Sequence, residues 1–301
     1  MNRIQANLCL LCVTLCWSTE VIIFACIPDM VSPFATTCIT SAAGSILLAL
    51  CFFRRIIGEL KRDAKRVILR CLLLGLMNGS YNVLYLYGLK SFDVSSGAFT
   101  LSMTAVILPV ILLTMRQKVG VKTWVSAGMV LSGIILAVGN TASVGQFWGI
   151  LMIGSGCIIR AFYIVLLNRF ASENDPIVLS SFLSMTVGIV TAIIWLITDP
   201  GSFMQLPLQR DIIASLAIYS YFIIAFAQTL NIFAQKKSTP ANATIIYSME
   251  IVFSVIWGLV MPASMIDKTV LTPWIVAGVL FVVAGNIVEI IPSGREASDE
   301  A

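Results

Sequence analysis

The strongest constraint on this chain is its division into ten apolar stretches of about 20 residues, separated by short polar breaks. A helix of that length crosses a hydrocarbon core of roughly 30 Å. The composition agrees, because 58% of the 301 residues are hydrophobic and only 11% are charged, whereas a soluble domain carries about 25% charged residues. The sequence therefore predicts an all-α integral membrane protein with ten transmembrane helices.

The first stretch could be mistaken for a cleaved signal peptide, but its apolar run is too long and Glu20 interrupts it. We interpret it as a membrane span. The predicted spans cover residues 5–27, 31–53, 67–88, 94–113, 122–140, 147–168, 176–198, 212–235, 240–261 and 270–291. The longest predicted loop covers residues 54–66.

Lysine and arginine are distributed unevenly between the two sides of the ten predicted spans. With a cytoplasmic amino terminus, fifteen of the 19 Lys and Arg residues fall on the cytoplasmic side, three fall outside, and Arg160 lies within a span. Cytoplasmic loops of membrane proteins carry such an excess. The distribution predicts that both termini are cytoplasmic. We expect the protein to lie in the plasma (inner) membrane.

The two halves of the chain repeat each other weakly. Ser102-Met103 recurs as Ser248-Met249, and Pro33 and Pro176 each open a span. Because five is an odd number, two five-helix halves lie in opposite orientations, as in transporters with inverted repeats. We predict a 5+5 inverted-topology repeat, with halves at 1–145 and 146–292 and a polar cytoplasmic tail at 293–301.

Several classes of function are disfavoured by what the sequence lacks. It contains no histidine, no GxxxxGK[ST] nucleotide motif and no HExxH motif, and its net charge is +4 without a basic patch for nucleic acid. The eight cysteines lie in or at the ends of apolar spans, which predicts packing rather than metal binding. The sequence predicts no cofactor, no metal and no nucleic-acid partner, and it disfavours an enzyme. A channel is disfavoured as well, because no ring of like charges is found.

Three charged residues lie deep inside predicted spans, within roughly 6 Å of the midplane at about 1.5 Å per residue. Each shares a helix face with an aromatic residue three positions away; the pairs are Trp17 with Glu20, Arg160 with Tyr163, and Tyr247 with Glu250. One interpretation is an ion network that only holds the helices together. The other is a working site, in which Arg160 pairs with one glutamate while the second takes a proton or meets a cationic substrate group. Glu289 lies near a helix end, where its side chain is expected to snorkel towards water.

Uncharged polar residues form two further stripes on predicted helices. Interhelical hydrogen bonds and substrate contact both explain such stripes. The stripes are Asn78, Tyr81, Asn82 and Tyr85 in span three, and Gln228 with Asn231 in span eight. In span three, Gly75 and Gly79 form a GxxxG pattern, which predicts close approach of two helices.

Several short segments resemble the EamA type of the drug/metabolite transporter superfamily. They are Leu15-Cys16-Trp17-Ser18, Tyr85-Leu86-Tyr87-Gly88-Leu89-Lys90, Val94-Ser95-Ser96-Gly97-Ala98, Thr239-Pro240-Ala241-Asn242-Ala243 and Tyr247-Ser248-Met249-Glu250. The resemblance covers nearly the whole chain. It implies a fold of ten helices in which spans one, three, four, six, eight and nine line the transport path, with spans five and ten peripheral.

The resemblance and the buried charges together predict a secondary transporter of small organic metabolites that works by alternating access. A site with both signs of charge and several aromatic rings suits amino acids or related compounds, and the resemblance suggests export. Protons are a candidate coupling ion. The alternative is a facilitator of lipophilic or cationic compounds, held by Glu20 or Glu250 with cation–π contacts. The oligomeric state is left open.

Overall fold

A computed structural model describes residues 2–27, 31–89, 102–138, 147–205, 209–262 and 271–291. The α-helices of these residues are α1 Arg3–Ser18, α2 Glu20–Ala25, α3 Pro33–Cys51, α4 Phe53–Leu89, α5 Thr104–Thr114, α6 Val121–Val138, α7 Phe147–Glu173, α8 Pro176–Thr198, α9 Arg210–Tyr219, α10 Gln228–Gln235, α11 Pro240–Tyr247, α12 Met249–Val260 and α13 Pro273–Ile290. A 3-10 helix, Pro200–Gln205, follows α8, and a π-helical segment, Ser220–Ala227, joins α9 to α10.

Within the described residues, seven helical stretches are long and apolar enough to cross a membrane. They are Pro33–Cys51, Phe53–Gly88, Phe147–Glu173, Pro176–Thr198, Arg210–Gln235, Pro240–Val260 and Pro273–Ile290. Three shorter apolar helices, Arg3–Ser18, Thr104–Thr114 and Val121–Ala137, occupy the positions of predicted spans one, four and five. The start of predicted span four, the end of span five and the tail 293–301 lie outside the described residues.

The predicted spans map onto these helices in order. Span one is α1 with α2, spans two to seven are α3 to α8, span eight is α9 with the π-helical segment and α10, span nine is α11 with α12, and span ten is α13. The prediction of a loop at 54–66 is wrong, because α4 begins at Phe53 and covers this segment. Only Asp63 has non-helical backbone angles within α4. The lysines, arginines and glutamate of that segment are good helix formers, so the segment does not need to be a loop.

Prolines begin four of the helices. Pro33, Pro176, Pro240 and Pro273 are the first residues of α3, α8, α11 and α13. Proline suits this position because its fixed φ fits a helix and its missing N–H has no partner there to lose. The prediction that Pro33 and Pro176 open spans is confirmed.

The packing follows a pattern that recurs in both halves. Span two packs on seven, four on nine, and five on ten. Span three packs on six and seven, and span eight correspondingly packs on one and two. The contacts of span three with six and seven thus reappear as contacts of span eight with one and two when five is added to or subtracted from both partners.

Glycines set the closest helix approaches. A Cβ atom on Gly75 would lie 2.3 Å from Cβ of Thr186, so the predicted close approach at the GxxxG pattern is confirmed, between α4 and α8. The approach of α6 to α13 is equally close, because a Cβ on Gly133 would lie 2.6 Å from the carbonyl oxygen of Gly278. Glycine thus allows a close approach of the helices in both pairs.

Candidate functional site

A cavity of about 120 Å³ lies between spans one, three, six, eight and nine. All twelve residues singled out in the sequence line it: Trp17, Glu20, Asn78, Tyr81, Asn82, Tyr85, Arg160, Tyr163, Gln228, Asn231, Tyr247 and Glu250. Five further lining residues, Ile164, Tyr219, Ile223, Ile224 and Gln235, were not predicted. The structure therefore brings together every predicted site residue, and their role in binding stays a prediction.

Both cavity glutamates follow a break in a span. Span one breaks at Thr19, between α1 and α2, and Glu20 is the first residue of α2. Span nine breaks at Ser248, and Glu250 lies in the first turn of α12. The hydroxyl groups of Thr19 and Ser248 donate to backbone carbonyls three residues earlier, at 2.6 Å in each case; such bonds compete with the helix ladder and bend helices. The partial positive charge at a helix N-terminus favours a carboxylate at Glu250.

The two broken spans lie side by side. The Trp17 and Tyr247 ring centroids are 5.2 Å apart. The indole Nε1 of Trp257 donates to Ser18 Oγ at 2.9 Å. These contacts hold the breaks at one level, so that both carboxylates reach the same cavity.

Arg160 corrects the predicted ion pair. Its side chain is buried, with 8% of the residue exposed, yet no ion pair within 4.0 Å joins it to Glu20 or Glu250 in the described part of the chain. Instead, its guanidinium carbon lies 5.3 Å from the ring centroid of Tyr81 and 5.9 Å from that of Tyr247. Aromatic faces attract a cation, so the two rings partly offset the free-energy cost of burying Arg160. Its guanidinium therefore does not need to pair with either carboxylate.

Glu20 has a partner that the sequence did not predict. The Tyr219 hydroxyl donates to Glu20 Oε1 at 2.7 Å. In a regular helix of 3.6 residues per turn, nine residues make about 2.5 turns and would place Tyr219 opposite Gln228. The π-helical segment between them closes wider turns with i→i+5 hydrogen bonds and changes that register. No simple pattern in the sequence predicts a π-helical segment at this place.

The polar stripes of spans three and eight behave differently. In span three, Asn82 Nδ2 donates to the carbonyl of Asn78 within its own helix at 2.8 Å. In span eight, Gln228 Nε2 donates across helices to the Tyr163 hydroxyl at 3.0 Å. Interhelical bonding therefore explains the span-eight stripe, while Asn78 and Asn82 make no side-chain hydrogen bond to another helix among the described residues.

A hydrogen-bond network of two amides and a tyrosine lines part of the cavity. Gln235 Nε2 donates to the Tyr247 hydroxyl at 2.9 Å, and that hydroxyl donates to Asn231 Oδ1. Gln235 lies one turn beyond Asn231, so the periodicity of the stripe could have identified it. In addition, Asn242 Nδ2 donates to Asn7 Oδ1 at 2.5 Å, which links span nine to span one.

The helices and the cavity define a class of protein, a multi-pass helical membrane protein with a polar chamber between its spans. Residues 4–139 and 147–289 each match the model of the EamA-like transporter family. The chain belongs to this family and is therefore a membrane transporter of small molecules.

Other comparisons concern the fold. One solved structure, described only as the crystal structure of a protein, is 17% identical, with a TM-score of 0.76; the match covers 96% of this chain and 98% of the other chain. At that identity the likeness supports the fold alone. No curated protein matches the chain at the significance required of a match.

Proposed function

We propose that this protein is a secondary carrier for small zwitterionic organic metabolites, of which amino acids are the simplest, and that it exports them by alternating access. One observation carries the proposal: a guanidinium and two carboxylates face a single cavity without pairing with one another. Buried charges are costly unless they meet a partner or water. A ligand with both signs of charge supplies such partners.

Each charged residue has a role in this proposal. Arg160 presents a planar fork of N–H donors that suits a substrate carboxylate. Glu250 accepts no hydrogen bond from the residues described here, which leaves its carboxylate for the substrate ammonium group. Glu20 already accepts the Tyr219 hydroxyl, so we assign the coupling proton to it. Trp17 and Tyr247 supply aromatic faces beside the ammonium group.

We further propose ten spans in a 5+5 inverted repeat, with both termini cytoplasmic. The recurrence of helix contacts at an interval of five spans supports the repeat. In this topology the amide network of Gln235, Tyr247 and Asn231 lies at the cytoplasmic end of the cavity, where it forms a closed inner gate. Rocking one half against the other would break it and open the cavity to the cytoplasm.

The aromatic lining favours one other function. Tyr81 and Tyr85 stack with ring centroids 6.1 Å apart, and rings beside two carboxylates also suit a lipophilic cation. Arg160 opposes that function, because a cation in the same cavity would be repelled by the guanidinium.

Counterflow in proteoliposomes tests the proposal. Vesicles loaded with unlabelled amino acids should take up labelled amino acid, and Arg160→Ala and Glu250→Gln should each reduce uptake by at least about 100-fold, the loss expected for a buried charge contact of roughly 3 kcal/mol. Arg169→Ala is the matched control, since Arg169 is an exposed residue of the same helix. Uptake of a lipophilic cation that Arg160→Ala increases, with no amino-acid counterflow, would overturn the proposal in favour of the facilitator.

A further inference from the structure

Glu289 is a buried carboxyl group outside the cavity. It lies in the last turn of α13 with 4% of the residue exposed, so the expectation that it snorkels to water is wrong. Close packing of α13 on α6 encloses it, because glycines bring the two backbones together. No ion pair within 4.0 Å reaches this carboxyl group in the described part of the chain.

Its surroundings are short of hydrogen-bond donors. The Thr123 hydroxyl donates to Glu289 Oε1 at 3.2 Å. Three buried oxygens of α6 and α13 make no hydrogen bond of normal distance and angle: Glu289 Oε2, Ser126 Oγ and Asn286 Oδ1. The Ser126 hydroxyl is nevertheless close enough to interact with the Glu289 carboxyl group. Ser126 is fully buried and Asn286 is 2% exposed. Two pairs of residues with a spacing of three lie on the facing sides of the helices. They are Thr123 and Ser126 on α6, and Asn286 and Glu289 on α13.

The number of hydrogen-bond donors favours one of the two charge states of the Glu289 carboxyl group. If Glu289 is ionised, the Ser126 hydroxyl is one donor for two acceptors, Oε2 and the Asn286 amide oxygen. If Glu289 carries a proton on Oε2, this group can donate a hydrogen bond to Ser126 Oγ. The Ser126 hydroxyl can then donate to Asn286 Oδ1. All three buried atoms then have a partner, and an unpaired buried polar group costs about 1–3 kcal/mol.

The interface has little room for a larger ligand at this level. A Cβ atom on Gly285 would lie 2.9 Å from the Ser126 carbonyl oxygen, so the two backbones nearly touch beside the carboxyl group. A hydrated cation needs space that this contact excludes, whereas a proton needs none.

The charged groups around Glu289 come from two helices. Lys122 of α6 and Arg3 of α1 are close enough to attract its carboxylate electrostatically, and the Lys122 ammonium donates to the Ile291 carbonyl at 2.6 Å. From α11 and α12, which also pack on α13, the titratable groups are Tyr247 and Glu250, and both line the cavity.

We propose that Glu289, Ser126 and Asn286 form a proton-binding site between α6 and α13, occupied by a proton at neutral pH. Asn286 Nδ2 also donates to Ser248 Oγ at 2.9 Å, so the site connects to the break in span nine two residues before Glu250. Binding of this proton locks the peripheral helix pair onto that break. The proposal does not depend on the transported substrate.

Infrared spectroscopy of the full-length protein in lipid nanodiscs tests the proposal. At neutral pH, Glu289→Gln should remove one C=O band of a protonated carboxyl group, and the band should persist in the Glu20→Gln/Glu250→Gln double variant. Glu173→Gln is the control, because Glu173 is half-exposed and paired with Arg70, so it should remove an ionised carboxylate band. Loss of an ionised band in Glu289→Gln would overturn the proposal.

Thermal unfolding gives a second measurement. Glutamine mimics the protonated acid and keeps a donor towards Ser126. Glu289→Gln should therefore match the wild-type Tm only at acidic pH, where the unfolded glutamate is protonated too, and should exceed it at neutral pH, where folding of the wild type must take up a proton. Glu289→Ala should have a lower Tm than Glu289→Gln at every pH. A Glu289→Gln Tm as low as that of Glu289→Ala at neutral pH would show that the fold needs the ionised form. Stabilisation by NaCl but not by choline chloride would also overturn the proposal, in favour of a sodium site.

Discussion

The central cavity and the interface of spans five and ten place buried polar groups in opposite settings. The cavity holds its charges apart around about 120 Å³ of space, while the interface holds Glu289 between backbones that nearly touch at Gly285. A carboxyl group with room around it can meet water, a substrate or a proton. A carboxyl group without such room can only gain or lose a proton. The difference for these glutamates lies in the space that neighbouring residues leave around each carboxyl group.

The largest effect should follow from filling the interface. Gly133→Val places a branched side chain against the Gly278 carbonyl, 2.6 Å from the new Cβ, and backbone atoms there cannot move aside. We expect a loss of about 3 kcal/mol of stability or more, seen as a lower Tm and a smaller yield of folded protein.

Gly128→Ala is the matched control on the same helix, because nothing lies within 4 Å of its added Cβ. It should leave Tm unchanged or raise it slightly, by the helix preference of alanine over glycine of about 1 kcal/mol. Equal Tm values for the two variants would mean that the close contact of α6 with α13 contributes nothing to the fold.

A smaller effect should come from the cavity. Tyr219→Phe removes the hydroxyl that donates to Glu20 at 2.7 Å but keeps the ring. A hydrogen bond to a charged group contributes about 1.5–3 kcal/mol, so we expect proton-driven transport to fall about tenfold, with Tm nearly constant. If Tm fell as far as in Gly133→Val while transport was normal, Tyr219 would be a packing residue and the contrast between the regions would fail.

The smallest effect should come from the surface. Arg55 forms an ion pair with Asp175 at 2.7 Å, and the Arg55 side chain is 54% exposed. Exposed pairs of this kind contribute less than about 1 kcal/mol because water and salt screen them. Arg55→Gln should therefore change neither counterflow nor, beyond a degree or two, Tm. A large loss in either would assign this pair a role in the conformational cycle.

Local patterns predicted much of the site. Positions three or four residues apart share a helix face in any helix, so Asn78, Tyr81 and Tyr85 could be placed together before their neighbours were known. Pro33 and Pro176 identified helix starts for an equally local reason. These predictions depend on backbone geometry that the chain carries with it.

Where the predictions failed, the missing information was non-local. Tyr219 reaches Glu20 through a π-helical segment, and a regular helix would turn it away. Arg160 lies over the Tyr81 and Tyr247 rings instead of pairing with a carboxylate, because helix packing sets those distances. Glu289 is enclosed because the glycines of two helices meet beside it.

The sequence by itself determined that this chain lies in a membrane, which polar residues share a helix face, and that it belongs to the EamA-like transporter family. The length of an apolar stretch and its helical periodicity are local properties, and they decide membrane insertion and helix faces without tertiary contacts. Only the tertiary structure decided which charges meet, which stay apart and which are sealed from solvent. Those outcomes depend on distances of a few ångströms between residues far apart in the chain, and helix packing alone sets them.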